Sequence, residues 1–221
     1  DHLRDAMVGC GVRITIGSFN LSQMPSITKA VEDAGLKRLA VCQHLEGKDW
    51  KAVKEERRAI MDFLIDYAMK NPQMEVVTEQ LYNDGVYLLQ RVAEREPEHA
   101  AEAEKLLAKQ GGCPAGDRIL NVDYRGNVHL CPYWQSRTIG NIREQKFSDI
   151  WFDGENEILA KMRDKTLYLK DKCGRCKLSH LCMGCRVRAE VACGDPFGED
   201  PACYLTEEEI AGEKVWLHDR S

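Results

Sequence analysis

The chain contains 221 residues, carries a net charge of −5 and has the apolar content of an ordinary folded protein. This acidic balance excludes a general nucleic-acid surface, which would need clustered lysine and arginine. No apolar stretch approaches the roughly 18–20 residues of a membrane span, so we expect a soluble, cytoplasmic protein with neither nucleic acid nor membrane as a partner.

The first half of the chain alternates strands with helices. The elements predicted there are, in chain order, a strand over 12–16, a helix over 26–34, a strand over 39–42, a helix over 49–70 and a strand over 75–78. Gly35 follows the first helix, at the position where a left-handed cap is common. This alternation indicates βα units on a parallel sheet, although three strands are too few for a complete barrel.

Two more helices, predicted over 79–95 and 97–110, close the first half before the pair Gly111-Gly112. The second consists almost entirely of Ala, Glu, Lys and Leu, which is typical of a solvated surface helix. We therefore expect an α/β domain over residues 1–110.

After the glycine pair, the predicted elements become shorter and the loops more frequent. Strands predicted over 119–122 and 128–131 flank a turn at Gly126, which indicates a β-hairpin. Short helices over 147–152 and 155–163 follow. The remainder is rich in loops, and so small an apolar core would gain much of its folding energy from bound metal.

Seven cysteines in this second half have the spacing of iron–sulfur ligands. They form the pattern C-x₁₂-G-x₄-C, then C-x₂-C-x₅-C-x₂-C, then one more cysteine, at Cys113, Cys131, Cys173, Cys176, Cys182, Cys185 and Cys203. Thiolates are the usual ligands of [4Fe–4S] clusters, four to a cluster. Seven thiolates fill one such cluster and leave a second one short by one ligand.

Three other interpretations of these cysteines fit less well. Two CxxC pairs of a zinc site are usually separated by about 15–20 residues, whereas only five residues separate Cys176 from Cys182. Disulfides would need an oxidising compartment, and the sequence shows no secretory leader. A set of merely buried, apolar thiols would not explain the regular spacing.

The cysteine pattern resembles that of the SPASM domain, the auxiliary-cluster module of many radical SAM enzymes. The sequence between the cysteines agrees with this resemblance, since it contains Gly126-Asn-Val-His-Leu-Cys131, Ile139-Gly-Asn-Ile-Arg143 and Asp149-Ile-Trp151. The resemblance spans residues 111–210 and leaves 211–221 as a tail. It implies that the first half is the last part of a partial (β/α) barrel.

Within this superfamily, the chain looks similar to the radical SAM proteins of alternative haem and denitrification-haem biosynthesis. The similar sequence segments are Cys173-Gly-Arg-Cys176, Arg186-Val-Arg-Ala189 and Glu199-Asp-Pro-Ala-Cys-Tyr-Leu205. Those enzymes change the side chains of tetrapyrroles by radical steps such as decarboxylation.

One departure from the family pattern bears on activity. The CxxxCxxC loop that binds the SAM-cleaving cluster does not occur in these 221 residues. We expect the chain to be the carboxyl portion of a longer enzyme and to be inactive alone in SAM cleavage. S-adenosylmethionine and a third [4Fe–4S] cluster are expected only in the full-length enzyme.

The resemblance implies two auxiliary [4Fe–4S] clusters with interleaved ligands. Cys113, Cys131 and Cys185 would bind the inner cluster, nearer the barrel. The outer cluster would be bound by Cys173, Cys176, Cys182 and Cys203. The fourth inner ligand stays open between Asp117, Cys193, solvent and substrate, although we expect Cys193 to be a buried structural thiol.

Other side chains are weaker candidates. Asn20 and His44 follow two predicted strands, where barrels place their chemistry, and they are candidates for the SAM or substrate side. His129 is expected to be a hydrogen-bonded strand histidine rather than a cofactor contact. Six cations near the cysteine block could offset cluster charge or steer an acidic substrate or electron donor, and ordinary solvated charge is expected at least as much for most of them: Lys170, Lys172, Arg175, Lys177, Arg186 and Arg188.

The resemblance implies a radical SAM oxidoreductase or lyase that takes electrons from a reductant such as ferredoxin or flavodoxin. Its main substrate class would be a tetrapyrrole. Two alternatives stay open: a SPASM maturase that modifies a peptide or protein, and a stand-alone iron–sulfur electron-transfer module.

Overall fold

The computed structural model describes residues 10–43, 49–79 and 81–212. The chain divides into two compact units. The first contains the residues up to Asp84 together with Ala202–Tyr204, and the second contains Gly85–Pro201 and the residues from Leu205 onward. The domain boundaries predicted after residues 110 and 210 stay predictions, and most of the predicted tail lies outside the described residues.

A three-stranded parallel sheet forms the centre of the first unit. Its strands are β1 (Val12–Ile16), β2 (Arg38–Gln43) and β3 (Glu75–Thr78), in the order β1-β2-β3. Leu39 of the middle strand pairs with Val12 on one side and with Val76 on the other. The predicted strands and their parallel arrangement are confirmed.

Two helices cover this sheet, α1 (Met24–Asp33) and α2 (Trp50–Lys70). The side chain of Asp49 accepts a hydrogen bond from the amide of Lys51 and so caps the start of α2. The core consists of buried apolar residues from both strands and helices: Ile16, Met24, Val31, Leu39, Val41, Ile60, Leu64, Tyr67 and Met74. Gly35 has a φ of 68°, which confirms the left-handed cap after α1.

The third helix begins later than the sequence indicates. Helix α3 spans Asn83–Arg95, whereas a start at Glu79 was expected. The amide of Glu79 donates to the carbonyl of Val41, and its carboxylate accepts from Arg13. Glu79 therefore continues the edge of the sheet and is unavailable to the first turn of the helix.

The second unit is built from short elements. Helix α3 continues into it and is followed by a 3₁₀ turn at Pro97–His99 and by α4 (Ala100–Gln110). The remaining elements are β4 (Asn121–Val122), β5 (Asn127–His129), β6 (Thr138–Asn141), α5 (Phe147–Trp151), α6 (Glu157–Arg163), a 3₁₀ turn (Lys165–Leu167), α7 (Asp171–Arg175), α8 (Ser179–Cys182), α9 (Arg186–Cys193) and α10 (Glu207–Ala211).

The predicted hairpin is present and is extended by a third strand. Strands β4 and β5 pair antiparallel around Gly126, whose φ is +88°, and β6 pairs with β5 on its other side. Among the helices within the described residues, none is both long and apolar enough to cross a membrane.

Candidate metal centre

Three of the predicted ligands lie near one another in the second unit. Burial raises the pKa of the Cys131 thiol, and the nearby Cys113 thiol adds to this rise. Burial likewise raises the pKa of Cys185 to about 11, with a smaller contribution from Cys113. Cys113 is therefore close enough to both partners to act on them electrostatically, as one common site would require.

Close backbone packing fixes the position of Cys113. Its amide donates to the carbonyl of Cys182 at 3.1 Å. The preceding residue, Gly112, has a φ of +51°, and a Cβ placed there would lie 2.4 Å from the Cys182 carbonyl oxygen. Only glycine combines this left-handed backbone with so close an approach.

The two residues between Cys182 and Cys185 are both left-handed. Met183 has a φ of 61° and Gly184 a φ of 55°. As a result, Cys182 is the last residue of α8, whereas Cys185 is the N-cap of the separate helix α9. Ligands three positions apart are thereby placed on two different elements.

Cys173 lies within α7 and is held from two sides. Its sulfur accepts hydrogen bonds from Arg186 Nη2 at 3.5 Å and from the amide of Asp200 at 3.4 Å. Burial raises the pKa of the neighbouring Cys176 thiol, to which Cys173 contributes. These two thiols of one CxxC pair share a partly buried region.

Asp200 organises the region around Cys185. Its carboxylate accepts from the amide of Cys185 at 2.7 Å and from Arg188 Nε and Nη2 at 2.9 and 2.7 Å. The Arg188 side chain is 13% exposed and that of Asp200 is 2% exposed. Burial opposes the charge of Arg188, but the Asp200 carboxylate outweighs it and raises the pKa of Arg188.

Arg186 is fully buried, so the expectation of a solvated charge is wrong for this residue. Its guanidinium donates to the carbonyls of Pro196 and Gly198 at 2.9 and 2.8 Å, in addition to the Cys173 sulfur. Of the other cations, Lys170 and Arg175 are exposed and form ion pairs with Asp195 and Glu207.

The remaining cysteines differ in their surroundings. Cys203 is buried and belongs to the segment Ala202–Tyr204 of the first unit. Cys193 is exposed, so the expectation of a buried thiol is wrong. It is the last residue of α9, and its thiol donates to the carbonyl of Ala189 at 3.2 Å. All ten cysteines lie within the described residues, and none forms a disulfide.

Lys165 provides a test of whether this site suits an anionic cluster. Its side chain is buried, and its Nζ has no hydrogen-bond partner among the described residues. Burial lowers its pKa, and Cys113 and Asp117 oppose that effect. An uncompensated cation beside a thiol, together with the donor set of several thiols, fits a negatively charged iron–sulfur cluster.

No three His, Cys, Asp or Glu side chains of the described residues are grouped so that they could hold one metal ion. Each ligand of a [4Fe–4S] cluster binds a different iron atom. The fit with a cluster therefore rests on the proximity of the thiols and on Lys165.

The candidates of the first half are placed differently. The amide group of Asn20 accepts from the amide of Gly17 at 3.0 Å and donates to the carbonyl of Thr15 at 3.1 Å, so it closes the loop after β1. His44 lies outside the described residues. His129 Nδ1 donates to the carbonyl of Arg137 at 3.2 Å, which confirms a hydrogen-bonded strand histidine.

Several residues of interest escaped the sequence analysis. Asn83 is buried near the end of β3 with both polar side-chain atoms unpaired among the described residues, and the same is true of Gln43 Oε1 at the end of β2. Polar residues after predicted strands were the signal that could have found them. Asp200 carries no sequence signal, because an isolated charge has no period, whereas Lys165 could have been found from its spacing of three residues after Leu159 and Met162.

Comparison with known proteins agrees with this site. The family model of the SPASM iron–sulfur cluster-binding domain matches residues 113–177. Two curated relatives match 90% of the chain: the Fe-coproporphyrin III synthase of Methanosarcina barkeri at 35% identity and the pre-heme d1 synthase of Dinoroseobacter shibae at 34% identity. The chain covers 54% and 52% of these relatives, and thus spans about half their length.

Solved structures show the same fold. Streptococcus suis SuiB bound to the precursor peptide SuiA aligns with 92% of the chain at a TM-score of 0.61 and 17% identity, covering 46% of SuiB. The protein anSMEcpe with bound AdoMet aligns with 98% of the chain at a TM-score of 0.59 and 16% identity, and 60% of that protein is covered.

These likenesses confirm the α/β fold class and the resemblance to radical SAM enzymes with a SPASM domain. Residues 113–177 match the SPASM iron–sulfur cluster-binding domain, and the two curated relatives to which the chain is similar are named for haem synthesis.

Proposed function

We propose that the chain is the carboxyl portion of a radical SAM/SPASM oxidoreductase, binds two auxiliary [4Fe–4S] clusters and acts on the side chains of a tetrapyrrole. The observation that carries the cluster proposal is the backbone pairing of the Cys113 loop with Cys182 and with Leu130, the residue before Cys131, close to the buried Lys165. The names of the two curated relatives support the substrate class.

In this proposal Cys113, Cys131 and Cys185 hold the inner cluster. Cys173, Cys176 and Cys182 hold the outer cluster, and the motif supplies Cys203 as the fourth ligand. Bound clusters of this kind supply one-electron redox chemistry. The protein's own contribution is to fix its ligands, through Asp200 at the Cys185 amide and through Arg186 at the Cys173 sulfur.

The whole enzyme, in this proposal, also needs SAM, a third cluster and a reductant such as ferredoxin or flavodoxin. The third cluster has no candidate ligand set in these 221 residues, since the sequence contains no CxxxCxxC motif. We place the enzyme in the cytoplasm, because unpaired thiolate ligands persist in a reducing compartment.

Anaerobic reconstitution of the chain tests the cluster proposal directly. Two cubanes correspond to about eight iron and eight acid-labile sulfide per protein. Tightly bound zinc without sulfide would overturn the proposal, and a loading of about half that amount would reduce it to one cluster.

SAM cleavage tests the assignment as auxiliary clusters. We expect the reconstituted and reduced chain to form no 5′-deoxyadenosine above background. A fusion that places a radical SAM segment with the CxxxCxxC motif ahead of this chain should restore cleavage. Robust cleavage by the chain alone would contradict the auxiliary role.

A peptide-modifying maturase is the second candidate function. It is favoured by the likeness to SuiB, whose solved structure contains a precursor peptide. In the restored enzyme, a carboxylated tetrapyrrole should couple SAM cleavage to loss of carbon dioxide or a related side-chain change. Coupling to a peptide alone would favour the maturase.

A further inference from the structure

Lys165 interrupts a buried stripe that is otherwise apolar. Leu159 and Met162 of α6 are fully buried, and Lys165 follows at the same spacing of three residues, in the 3₁₀ turn after the helix. At this spacing the three side chains share one face. A hydrophobic residue would be expected at position 165, yet the chain places a cation there.

The same face packs on the loop that carries Cys113. Gly116, three residues after Cys113, has a φ of +67°, and a Cβ placed there would lie 2.8 Å from the Met162 Cβ. The amide of Gly116 donates to the carbonyl of Leu130, the residue before Cys131. Lys165 is thus held against the loops of two proposed inner-cluster ligands.

The charges around Lys165 are unbalanced. The groups that act on it electrostatically are Cys113, Asp117, Arg118 and Arg186, of which only Asp117 carries a carboxylate. Asp117 lies 3.3 Å from Arg118 Nε and forms an ion pair with it. The buried ammonium therefore needs a further anion nearby, because a charge buried without a partner destabilises the folded state strongly.

Resting on the proposed clusters, we infer that Lys165 is the counter-cation of the inner cluster, donating from Nζ to sulfur on the Cys113 side. A fixed positive charge stabilises the reduced, more negative state of a cluster relative to the oxidised state. Lys165 thereby raises the reduction potential of the inner cluster and leaves that of the outer cluster nearly unchanged. It is a positioning residue that acts on the cluster through its charge.

The test is a redox titration of the reconstituted chain, followed by EPR, for the wild type, Lys165→Met and Lys165→Arg. Methionine keeps the length of the side chain and removes the charge, and arginine retains the charge. Lys161→Met, which removes a lysine from an ion pair with the mainly exposed Glu157, is the matched control.

We expect Lys165→Met to shift one of two midpoint potentials to a more negative value. Lys165→Arg should keep that midpoint potential close to the wild-type value, because the charge is retained. Lys161→Met should leave both potentials unchanged. Equal potentials in the wild type and in Lys165→Met, at full iron and sulfide content, would overturn the inference and leave the proposed clusters intact.

Failure of the wild type to bind iron and sulfide would instead refute the proposed function on which the inference rests. Loss of iron in Lys165→Met alone is resolved by the thermal stability of the metal-free proteins. If metal-free Lys165→Met is at least as stable as the metal-free wild type, the lysine serves the cluster. If the metal-free variant is less stable than the metal-free wild type by as much as the two reconstituted proteins differ, the lysine serves the fold and the inference is overturned.

Discussion

The carboxylate of Asp200 accepts a hydrogen bond of 2.7 Å from the backbone amide of Cys185. The same carboxylate binds Arg188 through two nitrogens, so one side chain joins the N-terminus of α9 to a residue of its first turn. A proposed cluster ligand is therefore positioned by a carboxylate 15 residues away in sequence. Such support from residues behind the ligands is common in metal sites.

Replacing Asp200 by Asn should be costly. The change leaves the largely buried Arg188 without its counter-ion, which typically costs about 3–5 kcal/mol. We expect lower thermal stability and reduced iron content at the inner site. Glu157→Gln is the control, because that carboxylate is 80% exposed and water screens its ion pair with Lys161. Equal losses in the two variants would contradict the role given to Asp200.

Substitutions at two glycines with positive φ, Gly112 and Gly194, allow the cost of a steric collision to be distinguished from the cost of backbone strain. Both Gly112→Ala and Gly194→Ala introduce a side chain into the left-handed region, at about 1–2 kcal/mol each. A Cβ at Gly194 has no neighbour within 4 Å, whereas one at Gly112 would collide with the Cys182 carbonyl.

We therefore expect Gly112→Ala to lose more unfolding free energy than Gly194→Ala in urea titrations, and also to lose iron. Comparable losses would mean that the backbone of Cys182 can move without disturbing the ligands.

Two cysteines should respond in opposite ways. Cys176→Ala removes a proposed ligand, and we expect a loss of roughly four iron per protein together with lower stability of the second unit. Cys193→Ala removes an exposed thiol and should leave the metal content unchanged. Iron and sulfide analysis decides between them, and the reverse result would refute the ligand assignment.

A buried network stabilises the first unit. Arg57 is fully buried and binds Asp84 through Nε and Nη2, and the Tyr204 hydroxyl donates to the same carboxylate at 2.9 Å. Asp84→Asn should cost about 3–5 kcal/mol, because the buried guanidinium loses its counter-ion. Tyr204→Phe removes the hydrogen bond to the charged Asp84 and should cost about 1.5–3 kcal/mol.

Urea unfolding of the loaded protein measures both variants. A greater loss in Tyr204→Phe than in Asp84→Asn would show that the hydroxyl of Tyr204, rather than the ion pair of Arg57 with Asp84, governs this region.

The elements that were best predicted from the sequence are those with a regular hydrophobic period. The β-branched run at Val12–Ile16 and the long amphipathic α2 have clear periods, and both lie within one residue of their expected bounds. Strand β6 was not predicted, because Thr138-Ile-Gly-Asn141 has no alternation and gains its order from pairing with β5. Local pattern cannot report an element that depends on a distant partner.

The proposed ligands of the candidate site could be predicted from the sequence, but the buried charged residues that surround them could not. The cysteines follow a spacing that a reader can count, whereas Lys165 and Asp200 are single charged residues among 67 Lys, Arg, Asp and Glu side chains. Nothing in the neighbours of Asp200 indicates that it is buried, and the regular spacing of Leu159, Met162 and Lys165 predicts an apolar residue rather than a lysine at position 165. Arg186 and Arg188 were noticed beside the cysteine block, but only the structure shows that they are enclosed.

The spacer between Cys182 and Cys185 has a consequence in terms of chirality. Its first residue, Met183, is an L-amino acid in a left-handed conformation, which costs roughly 1–2 kcal/mol. A D-amino acid has the opposite preference and would adopt the same backbone without that cost. Position 183 is therefore one at which the mirror-image building block is the better fit, so a semisynthetic chain with D-methionine there should hold the thiols of Cys182 and Cys185 more firmly than the natural one.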